Sequence, residues 1–158
     1  KQPIELDEAF ESIKAQAHLV YVGSGVLETQ LKRRFDRNPN IHFVGFQNQS
    51  KMPVWYRVAD VFCLPSKGPG ETWGLAVNEA LACGRQVIVS DRAGCAEDMV
   101  MCLDRCFQFK HDSIDQLNEL MSTLCEEVNG SPKDEVVKIT QNFDHRAFAI
   151  AIGVKLES

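Results

Sequence analysis

The sequence predicts an α/β fold, a Rossmann-like doubly wound parallel sheet. Three observations predict it. Short, continuously apolar runs such as Leu19-Val20-Tyr21-Val22 and Val61-Phe62-Cys63-Leu64 alternate with longer amphipathic stretches. Strands apolar on both faces belong in a parallel sheet covered on both sides. The runs stop at Gly23, Gly45 and Pro65, where loop-type sequence begins.

The elements follow in chain order. Pro3 to about Ala15 has helical periodicity. Leu19-Val20-Tyr21-Val22 reads as a buried strand ending in Gly23-Ser24-Gly25, and Val26 to Phe35 as a helix. Ile41-His42-Phe43-Val44 is a second strand, closed by Gly45. Ser50 is read as the N-cap of a helix running to Val58. Val61-Phe62-Cys63-Leu64 is the third strand. Leu75 to Cys83 is a helix with Gly84 as its C′ residue. Val87-Ile88-Val89 and Phe107-Gln108-Phe109 are the remaining strands. Ser113 to Val128 is a helix with a Ser113/Gln116 capping box. Asp134 to Thr140 and Asp144 to Leu156 are read as helices.

A doubly wound sheet places its first strand centrally, and nothing before Pro3 supplies one. The slot between the runs at 19–22 and 61–64 is therefore expected to take a strand from residues upstream of Lys1. An empty slot would leave buried backbone groups unpaired, at ~1–3 kcal/mol each.

Composition narrows the function. The net charge is −5 with the acidic residues dispersed, which argues against a nucleic-acid-binding surface. The one dense basic cluster, Lys32-Arg33-Arg34 with Arg37, reads as a solvated helix face. No apolar run approaches the ~20 residues that span a bilayer. The six cysteines fall in apolar runs or lack metal-ligand spacing. They read as reduced thiols in a cytoplasmic protein, with no metal site. The four histidines lie in separate segments, and none is assigned to catalysis.

The segment Pro65-Ser66-Lys67-Gly68-Pro69-Gly70-Glu71-Thr72-Trp73-Gly74-Leu75-Ala76-Val77-Asn78-Glu79-Ala80 carries the chemistry. A Gly/Pro-rich loop leads into a helix start bracketed by two glutamates. Unpaired N–H groups and the helix dipole at such a start suit a phosphate group without a metal. Gly74 and Leu75 are read as the amide donors. Glu79 follows Leu75 by four residues, on the same helix face. Helix side chains lean toward the N-terminus, so its carboxylate reaches the same ligand.

This segment, with Leu19 to Gly25 and Ile41 to Phe46, resembles the C-terminal donor-binding domain of the retaining glycosyltransferases of family four. Glu71 and Glu79, separated by seven residues with Pro-Ser before and Gly-Leu between, match the family hallmark. The resemblance implies one half of a GT-B fold, with residues 1–158 as the nucleotide-sugar-binding domain and an acceptor-binding domain upstream. It implies sugar transfer, with retention, from a nucleotide diphosphate sugar to a glycan, lipid-linked or other acceptor. No metal or other cofactor is expected, and this domain alone is expected to be inactive. The alternatives are a non-catalytic nucleotide-sugar-binding module and a GT-B sugar-nucleotide epimerase. The setting implied is cytoplasmic, and peripheral association with the inner face of the membrane is compatible with it.

Residue by residue, the resemblance gives Glu71 to the transferred sugar, where positive charge grows at the anomeric carbon, and Glu79 to the ribose diol. Phe46 and Gln47 follow a strand end where the family holds the base, although Phe46 also reads as loop packing. Lys67 is a diphosphate partner, a Glu71 partner or a solvated lysine. Lys1 matches a family lysine that touches the diphosphate. Trp73 walls the sugar subsite or, as the bulk of its ring favours, fills the core. With Thr72 it stands where the family usually has phenylalanine and proline.

Overall fold

The computed structural model describes residues 2–13, 17–35, 38–68, 70–128 and 149–155. Helix α1 (Pro3–Glu11) precedes β1 (His18–Ser24), α2 (Glu28–Phe35), β2 (Ile41–Gly45), α3 (Met52–Val58) and β3 (Val61–Leu64). Helix α4 (Leu75–Ala82), β4 (Gln86–Ser90), α5 (Ala96–Cys102), β5 (Cys106–Phe109), α6 (Ile114–Val128) and β6 (Ala149–Lys155) follow. The strands form one sheet in the order β2-β1-β6-β3-β4-β5, and every neighbouring pair is parallel.

Alternation along the strands divides the core into two layers. Leu19, Tyr21, Cys63 and Ile88 face one layer with Leu6, Phe10, Leu31, Phe35, Leu117 and Met121 of α1, α2 and α6. Val20, Val22, Phe62, Leu64, Val87 and Val89 face the other, against Tyr56, Val58, Val77, Ala80 and Ala96 of α3, α4 and α5. Three helices thus cover each face, the doubly wound arrangement the apolar runs predict. Each fully buried large side chain contributes roughly 1.5–3 kcal/mol.

Several local expectations hold and others need correction. Gly84 closes α4 with φ of +74°, and Arg85 N–H to Ala80 O (3.0 Å) and Gly84 N–H to Leu81 O (2.9 Å) complete a Schellman cap. Ser113 Oγ accepts the Gln116 N–H at 3.3 Å, but the Gln116 side chain returns to Lys110 N–H (2.9 Å) rather than to its capping partner. Ser50 is not the N-cap of α3. That position is Lys51, and Asn48 Oδ1 takes both the Ser50 hydroxyl (2.8 Å) and the Lys51 N–H (3.1 Å). Helix α1 stops at Glu11, earlier than expected, and α5 was not expected at all. The expected helix from Asp134 to Thr140 lies outside the described residues. Lys32 and Arg34 do lie on an exposed face of α2, paired with Glu28 (2.6 Å) and Glu8 (3.2 Å).

The largest correction concerns the C-terminal segment. The stretch read as a helix from Asp144 to Leu156 is the strand β6 over Ala149–Lys155. It fills the central slot, pairing with β1 over seven residues and with β3 at Val61 and Phe62. The slot is occupied, as the backbone hydrogen-bond argument requires, but by the chain's own last strand rather than by an upstream one. Its β-branched Ile150, Ile152 and Val154 are compatible with a central strand, but a short run of this kind carries no period that separates strand from helix.

A buried polar contact ties α1 to the sheet. Asp7 is 0% exposed. The Tyr21 hydroxyl lies within reach of the Asp7 carboxyl and of Pro3 O, the latter at 3.0 Å. One phenol proton cannot serve both. With Asp7 protonated, its O–H serves the phenol oxygen while the phenol serves Pro3. Asp7 Oδ2 has no hydrogen-bond partner, which a neutral carboxyl tolerates better than an anion. Burial accordingly pushes the Asp7 carboxyl up from 3.8 to about 7, against the opposing pull of Tyr21 and Arg34, while Glu11 and Glu8 add to the rise.

The folded chain then binds this proton more tightly than the unfolded chain. Its contribution is full below pH ~4 and is lost as pH rises towards ~7, on the order of 2–4 kcal/mol. Urea unfolding of the wild type is expected to show stability falling across that window, and Asp7→Asn to flatten the fall. Parallel pH profiles for the two proteins would refute this account.

Candidate functional site

Strand β3 ends where Pro65, which has no N–H to offer a ladder, takes over. The following loop is pinned at its start. Gln2 N–H reaches Pro65 O at 2.8 Å and Ser90 Oγ–H reaches Ser66 O at 2.7 Å. It ends at Gly74, the N-cap of α4, with φ of +98°. A Cβ on Gly74 would stand 3.1 Å from both Cys95 Sγ and Leu64 Cδ2, so left-handed backbone and close packing together require glycine. As N-cap it brings no side-chain acceptor. Val77 N–H already donates to Gly74 O at 2.8 Å, so it is the N–H groups before it that face the carboxyl edge of the sheet, where Leu75 stands 69% exposed.

Glu79, one turn into α4, is held from the α3 side. Gln49 Nε2 donates to its Oε1 at 2.6 Å and the Tyr56 hydroxyl donates to its Oε2 at 2.7 Å. Burial, and then the Glu79 carboxylate, push the Tyr56 hydroxyl above its usual range, so it remains a donor. Glu71 lies in the loop ahead of α4. Its Oε2 accepts from Ser66 Oγ at 3.4 Å and its N–H reaches Gly68 O at 3.3 Å. The two glutamates are therefore held by different segments, Glu79 by Gln49 and Tyr56 and Glu71 by Ser66.

The other expected residues distribute around this edge. Phe46 stands 73% exposed after β2, and Gln47 turns its amide back to Val44 O at 3.5 Å. Lys67, near the start of the same loop, lies 3.7 Å from Glu5 of α1. Trp73 does not fill the core. It is 40% exposed, and its indole N–H donates to Asn78 Oδ1 at 3.0 Å, because the tight turn at Gly74 leaves the ring on the surface. Lys1 lies outside the described residues.

Sequence reasoning missed several groups here. Gln49 and Tyr56 hold Glu79 from 30 and 23 residues away, a separation no local motif reveals. At the ends of β4 and β5, His111 N–H donates to Asp91 Oδ1 at 2.9 Å, and Arg92 lies against the His111 ring with Nε–Nδ1 at 3.2 Å. Two histidines thought solitary, His18 and His42, meet at 2.9 Å near the opposite, amino-terminal edge of β1 and β2. None of the six cysteines is joined in a disulfide, and burial pushes Cys106 to about 11 and Cys125 to about 12. Among the described residues no group of three or more His, Cys, Asp or Glu side chains is placed to hold a metal ion. No helix there is long and apolar enough to cross a membrane.

A doubly wound sheet with an open helix start at its carboxyl edge is an architecture that receives phosphorylated ligands. The family profile described as glycosyl transferases group 1 matches residues 3–127, and the chain belongs to that family. It is 39% identical over 82 residues to a GDP-mannose-dependent alpha-(1-6)-phosphatidylinositol dimannoside mannosyltransferase of Mycobacterium tuberculosis, covering 51% of this chain and 21% of that one. It is 36% identical over 78 residues to D-inositol 3-phosphate glycosyltransferase 2 of Catenulispora acidiphila, covering 47% of this chain and 18% of that one. The matches thus span about a fifth of each relative's length. The crystal structure of WaaG, a glycosyltransferase involved in lipopolysaccharide biosynthesis, superposes with a TM-score of 0.57 at 16% identity, over 82% of this chain and 44% of that chain. That likeness establishes the fold, the GT-B half-domain expected from the sequence.

Proposed function

We propose that this chain is the donor-binding domain of a retaining glycosyltransferase that uses a nucleotide diphosphate sugar. The observation that carries the reading is the uncapped start of α4 between two anchored glutamates. The diphosphate lies against the N–H groups at Gly74 and Leu75, where the helix dipole and amides stabilise its growing charge as it departs. No metal is needed for that. Glu79 accepts from the ribose diol, and Glu71 faces the transferred sugar. Phe46 and Gln47 border the base, Trp73 borders the sugar, and Lys67 and Lys1 supply cations at the diphosphate.

Transfer proceeds with retention, the nucleoside diphosphate being the leaving group. The acceptor, a glycan or a lipid-linked one, is held by an upstream domain, and residues 1–158 alone do not transfer. The setting is cytoplasmic, with peripheral contact to the inner face of the membrane in the full-length protein. The mycobacterial relative, named for its dependence on GDP-mannose, supports guanosine diphosphate as the first nucleotide to test.

Glu79→Ala is expected to weaken nucleoside diphosphate binding by about tenfold to a hundredfold, since hydrogen bonds to a charged acceptor are worth ~1.5–3 kcal/mol. Isothermal titration checks this, with a thermal melt to show that the variant is folded. Equal affinities for wild type and variant would remove Glu79 from the donor site.

A further inference from the structure

We propose that Tyr56 and Gln49 are a positioning pair for Glu79, which hold its carboxylate ready for a ribose diol and so set the preference for ribonucleotides over deoxyribonucleotides. The inference rests on the donor-site reading above and adds to it two residues that carry no part of the family motif.

The geometry is specific. Tyr56 is 2% exposed, and its ring meets Phe62 of β3 edge-on, with centroids 5.4 Å apart at 80°. The hydroxyl is therefore placed by the hydrophobic core rather than by a mobile side chain. It donates to Glu79 Oε2 at 2.7 Å, while Gln49 donates to Oε1 at 2.6 Å. One donor on each oxygen fixes the rotation of the carboxylate. A carboxylate offers about four acceptor positions, so roughly two stay open for a vicinal diol.

A free glutamate would have to be ordered when ligand arrives, at a cost in affinity. Here the ordering is complete beforehand. Gln49 lies on the segment that joins β2 to α3, which begins with Phe46 and Gln47, and Tyr56 lies in α3 directly after it. The loop assigned to the base and the carboxylate assigned to the ribose are thus linked through Gln49.

A purely structural role, in which Tyr56 only ties α3 to α4, predicts something different. Loss of the tie would weaken all nucleotides alike or lower stability alone. The test titrates the full chain with guanosine diphosphate and uridine diphosphate, and with the 2′,3′-dideoxy form of each. The readout is the ratio of dideoxy to ribo dissociation constants. Tyr56→Phe, which keeps the ring on Phe62, is expected to lower that ratio by about fivefold to tenfold and to leave dideoxy binding unchanged. Gln49→Leu, on an exposed loop, is expected to lower it in the same sense and decides alone if Tyr56→Phe does not fold.

Wild-type ratios in both variants, with the ratio lost in Glu79→Ala, would overturn the positioning role and leave the ribose reading standing. A proportional loss for ribo and dideoxy ligands would also overturn it. Retention of the ratio in Glu79→Ala, or no nucleotide binding by wild type, would overturn the donor-site reading and this inference with it.

Discussion

Glu71→Gln is expected to slow sugar transfer by about two to three orders of magnitude while leaving the affinity for the nucleoside diphosphate within about twofold, a loss confined to the transition state. Departure of the diphosphate leaves positive charge on the anomeric carbon and ring oxygen, as in other glycosyl transfers with oxocarbenium-like transition states. A fixed carboxylate beside that carbon stabilises charge that the ground state lacks. Glutamine has nearly the same shape and can still accept from the Ser66 hydroxyl, which lies 3.4 Å from Glu71 Oε2. The substitution therefore removes charge while conserving size and an acceptor.

The measurement is nucleoside diphosphate released from a nucleotide sugar by the full-length enzyme, with and without acceptor, beside titration of the nucleoside diphosphate alone. A fall in kcat at constant affinity identifies a group acting on the reacting sugar. A matching fall in affinity would move Glu71 to the diphosphate. Unchanged turnover would remove it from the chemistry. Glu79→Ala has the complementary signature, a loss in binding, because the ribose is remote from the reacting bond and its contacts exist before the transition state is reached.

The parts of this fold that local chemistry determines were legible in the sequence. Strands β1, β3 and β4 are apolar runs buried along most of their length, the edge strands β2 and β5 are shorter runs only partly buried, and β1 to β4 appear where such runs end at glycine, proline or serine. Gly84 was legible because a Schellman cap needs only a few neighbouring residues. Strand β6 was not. Ala149 to Val154 is apolar at every position, and a short run of that kind has neither a helical nor a strand period to separate the two. Only its partners β1 and β3, more than 80 residues away in sequence, decide its state. The short helix α5 was hidden for another reason: its end, Val100-Met101-Cys102, is exposed and apolar rather than amphipathic.

The candidate site divides along the same line. The spacing of Glu71, Gly74 and Glu79 follows from one loop and one helix, so it is visible in sequence. What holds Glu79 is non-local: Gln49 and Tyr56 come from the β2–α3 loop and α3. The loop that carries Glu71, whose Ser66 meets Glu71 locally, is itself held by Ser90 at the end of β4. Trp73 was misread because bulk favours the core, whereas the left-handed turn at Gly74 turns the chain before the ring can enter it.

Gly94→Ala is expected to be the most disruptive single-methyl change at this edge. The loop from Ser90 to Gly94 lies directly against the loop that carries Glu71. A Cβ on Gly94 would stand 2.0 Å from Thr72 O, 3.1 Å from Thr72 C and 3.4 Å from Trp73 Cα. No flexible side chain is available to move aside, because every one of these atoms is backbone. The Thr72–Gly74 stretch is itself fixed, since Trp73 O accepts the Cys95 N–H at 2.9 Å and Gly74 packs on Cys95 and Leu64. The two loops must separate, and the Cys95–Trp73 hydrogen bond is strained or lost. Overpacking of this kind costs roughly 1–3 kcal/mol, or about 2–9 °C in Tm for a domain of this size. The displaced backbone joins Glu71 to the start of α4, so donor affinity should fall as well. Gly70→Ala is the control, in the same loop, with nothing within 4 Å of its Cβ and a φ outside the left-handed region. It is expected to stay within about 0.5 kcal/mol of wild type and to bind donor normally. Thermal melts and nucleotide titration of the two variants side by side separate a specific backbone apposition from general intolerance of the loop. A Gly94→Ala protein as stable as Gly70→Ala would show that the two loops are not held in contact.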